Sequence, residues 1–124
     1  MKFSKKFKSS KNPRKQRAYV RLSPLHLRQK MLASHLSAEL IKKYGMRAIS
    51  IRKNDKVLIM RGDFKGIKGT VERTSLREMK VYVDNAKTTK KDGTRISVPL
   101  NASNLMIIEL NLDDKKRLKE SVKK

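Results

Sequence analysis

Residues 55–71 have the sequence DKVLIMRGDFKGIKGTV, in which an apolar segment, a glycine-rich turn and a second extended segment follow one another. The continuous apolar run within 56–60 predicts a short buried strand. Gly62, Gly66 and Gly69 come next, and glycine permits the unusual backbone angles and close approaches that a tight turn needs. This stretch therefore predicts two neighbouring strands joined by a sharp turn.

Beyond this turn, the hydrophobic pattern predicts further short strands at 70–73, 80–83, 87–91, 94–100 and 106–110. Asp92-Gly93 favours a two-residue turn between two of them, and Ile96, Val98 and Leu100 are expected to point inward. Short strands separated by frequent turns are typical of a small barrel. We therefore predict a mainly β fold with a barrel at 52–111.

Residues 23–51 show helical spacing instead and are predicted to form a helical extension. Ser23 is expected to cap a first helix, with Pro24 as its first residue. A break is expected at 34–37, after which a second helix should end at Gly45 in the left-handed conformation. Residues 112–124 are predicted to form a C-terminal helix or tail.

The N-terminal segment has the largest excess of basic over acidic residues. The chain of 124 residues has a net charge of +22, and its first 30 residues contain eleven Lys and Arg and no acid. Such a segment cannot bury enough apolar surface to fold alone. We predict that 1–22 is an extended basic arm that becomes ordered on a polyanion, for which a phosphate backbone is the obvious candidate.

The glycine-rich turn is the second candidate contact with that polyanion. Arg61, Lys65 and Lys68 surround its exposed backbone, so that N–H groups and long cationic side chains can meet a phosphate together. Spacing alone does not distinguish this from a turn required only to close the barrel. The role of Phe64 also has two alternatives, since its ring can stack on a base or sugar, or cover the end of the barrel.

Other classes of function are poorly supported. A Walker loop ends in Gly-Lys-Ser/Thr, whereas here Lys68 precedes Gly69, and the dinucleotide fingerprint is absent. The chain has no Cys and two His, so we expect no metal site, no cofactor and no catalytic residues. It has no Trp and no apolar run near the length of a membrane span. We therefore expect no membrane association, no small-molecule substrate and no enzymatic activity.

The glycine-rich turn resembles the KOW motif of ribosomal and transcription-elongation proteins. Several flanking segments narrow this resemblance, among them PRKQR at 13–17, PLHLRQKM at 24–31, KYGMR at 43–47, KDGT at 91–94 and LNLD at 110–113. Together they are similar to the archaeal and eukaryotic large-subunit ribosomal protein family called L-twenty-six in eukaryotes, the counterpart of bacterial L-twenty-four. The resemblance covers roughly residues 11–117.

That resemblance implies an SH3-like barrel bound to the 5′ region of large-subunit rRNA, near the exit of the peptide tunnel and early in subunit assembly. It implies a cytoplasmic location in the ribosome, with rRNA and neighbouring large-subunit proteins as partners. By position, Arg14, Lys15 and Arg17 would thread between rRNA helices, while Arg28 and Lys30 would face RNA from the first helix. The alternative is a KOW module of a transcription-elongation factor.

The complete set of predicted RNA-binding residues joins the arm, the helical extension and the glycine-rich turn. Its members are Lys11, Arg14, Lys15, Arg17, Arg21, Arg28, Lys30, Arg47, Arg52, Arg61, Phe64, Lys65 and Lys68.

Overall fold

A computed structural model describes residues 2–7 and 9–118 of the chain. Its helices are α1 (Pro13–Leu22), α2 (Leu25–Met31), α3 (Ala38–Tyr44) and a short 3-10 helix (Ala102–Asn104). Its strands are β1 (Ala33–Leu36), β2 (Ala48–Ser50), β3 (Lys56–Ile59), β4 (Lys68–Ser75), β5 (Lys80–Val83), β6 (Lys87–Thr89), β7 (Arg95–Ser97) and β8 (Leu105–Glu109).

Six strands form one sheet in the order β2-β1-β8-β3-β4-β5, in which β1 and β8 are parallel and the other pairs antiparallel. The free side of β5 is met by Leu100, which exchanges two backbone hydrogen bonds with Val81 at 2.8 and 2.9 Å. Alternate residues of the central strands are fully buried, as Val57 and Ile59 are on β3. The mainly β prediction is confirmed, and the strands form a small barrel-like domain around one core.

The remaining pair, β6 and β7, forms a hairpin that is attached to the sheet through Glu72. A bulge in β4 lies between Val71 and Arg73, and a bulge redirects the side chain of its extra residue. Glu72 accepts a hydrogen bond from Ser97 Oγ at 3.3 Å and pairs with Lys87 Nζ at 2.9 Å. This hydrogen bond from Lys87 is the main reason that the pKa of Glu72 is lowered.

The expectation of an extended arm is wrong for its second half, because α1 is helical from Pro13 to Leu22. Asn12 is its N-cap and accepts a hydrogen bond from Arg14 N at 3.0 Å, with Pro13 at the first helical position. Proline is favoured at that position, where its missing N–H costs nothing and its φ is already helical. Pro13 therefore starts a helix here, although residues before a proline avoid one.

Ser23 also differs from its predicted role. Its hydroxyl donates to Val20 O at 2.7 Å, so Ser23 ends α1. The N-cap of α2 is Pro24, which lacks a side-chain cap. By contrast, Gly45 ends α3 as predicted, with φ of 66° and a hydrogen bond to Ile41 O at 2.8 Å.

The break expected at 34–37 is replaced by β1, which the sequence did not reveal. Leu32, Ser34 and Leu36 are buried in alternation, and the Ser34 hydroxyl donates to Ala102 O at 2.7 Å. A serine can occupy a buried strand position here only because the 3-10 helix provides that acceptor. Both β1 and β2 lie within 23–51, so this segment contributes two strands to the sheet as well as helices.

Two details of the hairpin region also need correction. Lys90 N donates to Thr94 O at 2.8 Å and Gly93 N to Lys90 O at 3.0 Å, with Gly93 at φ of 89°. The connection is therefore a three-residue loop of the type that ends in a left-handed glycine, and the predicted two-residue turn is wrong.

Ile96, expected to point inward, is 41% exposed, whereas Leu100 packs against the core.

The C-terminal segment is attached to the barrel by a buried ion pair. Arg117 is 2% exposed, and its guanidinium donates to both carboxylate oxygens of Asp55 at 2.7 and 2.6 Å. It also donates to the backbone oxygens of Asn111 and Ser50 at 2.9 and 3.0 Å. Residues 116–118 are helical, while the rest of the predicted C-terminal helix or tail lies outside the described residues.

Candidate nucleic-acid interface

The glycine-rich turn between β3 and β4 is held by backbone bonds that leave its cations free. Ile59 and the turn exchange two hydrogen bonds, from Ile59 N to Ile67 O at 3.0 Å and from Gly66 N to Ile59 O at 2.8 Å. Gly62 and Gly66 have φ of 93° and 86°, which residues with a Cβ rarely adopt. The turn is therefore a defined structure, and its three predicted cations, Arg61, Lys65 and Lys68, are exposed.

Phe64, the aromatic residue of this turn, lies partly against the hydrophobic core. That contact supports the alternative in which Phe64 covers the end of the barrel. Any stacking on a base or sugar would have to use the part of the ring that stays accessible.

Gly69 meets a different requirement from Gly62 and Gly66, because side chains of the neighbouring β5 and of the residues after it occupy the space that its Cβ would take. A Cβ placed there would lie 2.5 Å from both Val83 Cγ1 and Asp84 Oδ1. The Asp84 carboxylate is fixed at this point, since it accepts a hydrogen bond from Thr70 N at 2.9 Å. The glycine is thus needed for the packing of β4 at the base of the turn.

We expect Gly69→Val to lower the free energy of unfolding by about 1–3 kcal/mol, the usual cost of overpacking a well-packed site. Gly66→Ala should cost about 1–2 kcal/mol for backbone strain alone, since nothing lies within 4 Å of its Cβ position. Gly66→Asn should cost less, because asparagine tolerates the left-handed region. Urea denaturation measures all three, and a wild-type midpoint for Gly69→Val would contradict this account.

The second group of predicted cations lies on α1 and just before it. No residue of α1 is buried, and Lys11, Arg14, Lys15, Arg17 and Arg21 are all exposed. Tyr19 stacks on Phe7, with ring centroids 4.8 Å apart, and packs against Phe3 at 5.1 Å. The aromatic residues of this segment therefore contact one another, and its cations face solvent.

Two predicted RNA-binding arginines are already engaged within the protein. The terminal nitrogens of Arg28 donate to the backbone oxygens of Arg77, at 3.3 Å, and Arg21. Arg52 pairs with Asp114 at 2.7 Å, and this hydrogen bond is the main cause of the lowered pKa of the Asp114 carboxyl. Lys30 and Arg47, by contrast, are exposed.

The β6–β7 hairpin adds exposed cations outside the predicted set of RNA-binding residues. Lys90, Lys91 and Arg95 are exposed, and none of them forms an ion pair with another described residue. The signal is present as Lys-Lys-Asp-Gly-Thr-Arg at 90–95, a turn sequence flanked by cations on both sides. Cations that flank a predicted turn therefore identify a candidate RNA contact, as the glycine-rich turn does.

These basic elements are distributed over the barrel. The glycine-rich turn precedes β4, whereas the β4–β5 turn near α1 follows it, and eight residues of strand separate them. At 3.3 Å per residue the two ends lie up to about 26 Å apart. A polyanion that contacts both ends would therefore have to extend over a comparable distance.

Few of these charges are neutralised internally. Four ion pairs occur among residues 2–7 and 9–118, and they involve Arg52, Lys56, Lys87 and Arg117. Of the predicted RNA-binding cations only Arg52 is among them. A protein with this much unpaired positive charge repels itself, and a bound polyanion would relieve that repulsion.

Other kinds of site are not apparent in the described part of the chain. No group of three or more His, Asp or Glu side chains there is arranged to hold a metal ion. Nor does any helix in those residues have the length and apolar character needed to span a bilayer.

Comparison with known protein families gives one finding. A family model described as Ribosomal proteins L26 eukaryotic, L24P archaeal matches residues 10–124. The match covers the basic α1, the helical extension, the barrel and the C-terminal segment, and so includes every element that presents the predicted cations.

Proposed function

This chain belongs to that family of eukaryotic and archaeal ribosomal proteins, and we propose from this membership that it is a structural rRNA-binding protein of the large ribosomal subunit. Its ligand is the 5′ region of large-subunit rRNA, near the exit of the peptide tunnel. It joins the subunit early in assembly, when its contacts help to fix the arrangement of the rRNA segments around it.

The observation that supports this proposal most is the exposure of unpaired cations on three separate elements. The glycine-rich turn, α1 and the β6–β7 hairpin each present three or more Lys or Arg side chains to solvent. Cations on helices and turns of defined structure neutralise phosphates at set positions and so fix the register of an RNA. The proposed role is therefore to position rRNA.

Binding of this kind depends mainly on charge and on the shape of the RNA. Each neutralised phosphate releases a condensed counterion, which makes the affinity strongly dependent on salt. With aromatic residues at 5% of the chain, a stacking platform for successive bases is not expected. Double-stranded RNA offers its bases poorly to side chains, so recognition should come from the spacing of phosphates and riboses.

The salt dependence of binding tests this mechanism. With about eight phosphate contacts, the affinity for a transcript of the 5′ region should fall by roughly 10³–10⁵-fold between 50 and 200 mM salt. Filter binding or fluorescence anisotropy measures this directly, with a transcript of equal length from elsewhere in the rRNA as the control. An affinity that stays constant across this range would contradict electrostatic binding.

The alternative of a KOW module in a transcription-elongation factor predicts a different partner. Sedimentation of a cell extract separates ribosomal subunits from RNA polymerase, and the proposal expects the chain with the large subunit. Finding the chain with polymerase and absent from the subunit fraction would favour the alternative.

A further inference from the structure

A groove of about 440 Å³ lies between α1 and the turn that joins β4 to β5. Arg17 and Arg21 line it from α1, Arg77 from the turn and Arg28 from α2. Its inner surface is mostly apolar and includes Val20 and Met79. A pocket of several hundred Å³ with apolar walls and a few polar groups is typical of sites for small organic ligands.

Arg28 holds the two sides of this groove together. It donates to the backbone oxygen of Arg21, at the C-terminal end of α1, and to that of Arg77 on the turn, at 3.3 Å. Its Nε is buried and has no hydrogen-bond partner among the described residues. A positive charge is therefore fixed at the wall of the groove, with one donor still to be satisfied.

The apolar part of the groove also has an unusual backbone. Met79 has φ of 57°, in the left-handed region that residues other than glycine and asparagine seldom occupy. Its side chain packs partly against the hydrophobic core. Val20, on the opposite wall, is 38% exposed. Such strained residues are concentrated at functional sites, where the surrounding packing maintains them.

One acid borders the groove and is itself engaged. Glu78 accepts a hydrogen bond from the Tyr82 hydroxyl at 3.0 Å, which is the main cause of the raised pKa of that hydroxyl. The Tyr82 ring in turn lies 4.0 Å from the Arg73 guanidinium carbon. Four arginines against one acid still leave the groove strongly positive.

We infer that this groove holds a single unpaired nucleotide of the bound RNA. Arg17, Arg21 and Arg77 contact its phosphate, and its base or ribose lies against Val20 and Met79. The guanidinium group suits both tasks, because its planar set of donors matches a phosphate and its face stacks on aromatic rings. The inference rests on the proposed function, and specifies what one part of the interface recognises.

The combination of charge with an apolar surface is what distinguishes this site from the other basic elements. The backbone of an RNA duplex presents phosphate and ribose but keeps its bases stacked. Those bases cannot contact the apolar wall of a groove. Sequence-specific recognition of RNA mostly targets unstacked bases in loops and bulges, and an Arg guanidinium plane is one of the surfaces on which such bases stack. The groove therefore indicates that the partner has an extruded nucleotide at this position.

The test follows the methyl group of Met79 by NMR in the full chain, with ¹³C-labelled methionine and assignment by Met79→Leu. Adenosine and uridine 5′-monophosphate are expected to shift this signal saturably, whereas inorganic phosphate or hexaglutamate should not shift it to the same extent. Arg77→Gln should weaken nucleotide binding by about tenfold, since it removes a hydrogen bond between charged groups. Arg21→Gln should give a similar loss, which guards against a folding defect particular to one variant.

Lys42→Gln on α3 is the matched control, because Lys42 is an exposed cation outside the predicted interface. With rRNA, Arg77→Gln is expected to bind more weakly than Lys42→Gln and to leave one unpaired nucleotide unprotected from chemical probing. Equal effects of the two variants, no Met79 shift with either nucleotide, or equal shifts with phosphate or hexaglutamate would overturn the inference. In each case rRNA binding by the wild type would leave the proposed function standing.

Discussion

A chain that lacks residues 1–22 is expected to bind the 5′ region of large-subunit rRNA at least about a hundredfold more weakly, a loss that two charged hydrogen bonds suffice to explain. The deletion removes nine of the 33 Lys and Arg residues and no acid. The slope of log affinity against log salt should fall by about 0.7–0.9 for each phosphate that the shortened chain no longer neutralises.

The barrel should remain folded after this deletion. No residue of α1 is buried, and the buried core residues all lie at or after Leu32. The unfolding midpoint, followed by circular dichroism, is therefore expected to stay close to that of the full chain. Unchanged rRNA affinity in the folded deletion variant would refute the role of the arm.

A second variant separates the charge of the arm from its structure. It keeps Asn12, Pro13 and the aromatic contacts of Tyr19, and replaces with Gln the cations Lys11, Arg14, Lys15, Arg17 and Arg21. Because glutamine is a good helix former, α1 should be retained. If electrostatics governs binding, this variant, which removes five of the nine cations of 1–22, should lose a large part of the rRNA affinity that the deletion variant loses.

Asp55→Ala is expected to lower the free energy of unfolding by about 3–5 kcal/mol, because it removes the carboxylate that pairs with a buried guanidinium. Asp55 has no exposed surface, and Arg117 is 2% exposed. The same carboxylate accepts hydrogen bonds from the backbone N–H groups of Arg52 and Asn111, each at 2.9 Å. One substitution thus removes the acceptor for four donors and releases the C-terminal segment.

Glu109→Gln provides the matched control for this effect. Glu109 pairs with Lys56 at 2.7 Å, but the two side chains are 62% and 58% exposed. An exposed pair is typically worth about 0–1 kcal/mol, so this variant should be nearly as stable as the wild type. Replacing Asp55 and Arg117 together with apolar residues should cost less than the sum of the single changes. Wild-type stability of Asp55→Ala would show that the ion pair is not structural.

The strands of the barrel were predictable because their sequences contain local patterns. β3 and β8 are short apolar segments, and β5 was predicted at its observed limits, Lys80–Val83. β1 was missed because Ser34 and His35 interrupt its apolar pattern. Its burial depends on Ala102, a hydrogen-bond partner 68 residues away. Local patterns cannot reveal a strand whose polar residues are satisfied by a distant segment.

Pro13 allows two interpretations of the arm, as extended chain or as the start of a helix. Proline disfavours a helix in the residue before it, but it is favoured as the first residue of a helix. Asn12 decides between them, since its side chain caps α1 through Arg14 N. The asparagine was visible in the sequence, and the combination of Asn with Pro was the signal that could have predicted α1.

The exposure of the cations in the candidate interface was predictable from residue type, but the hydrogen bonds and ion pairs of individual arginines were not. Lys and Arg in an acid-free segment or a glycine-rich turn are expected to be exposed, and Arg61, Lys65 and Lys68 are. The partners of Arg28 and Arg52 are set by tertiary contacts with Arg77 and Asp114. The hydrogen bonds between Asp55 and Arg117 likewise span 62 residues, a separation at which sequence patterns give no information.

The central claim is that the barrel and its basic extension are held in the large subunit by contacts between their cations and rRNA. Crosslinking of purified large subunits with ultraviolet light, followed by mass spectrometry of peptide–nucleotide adducts, tests it most directly. The account predicts adducts on peptides from 11–21 and 61–68, joined to nucleotides of the 5′ region of the rRNA. Subunits that lack this chain, or adducts confined to surfaces without these cations, would contradict it.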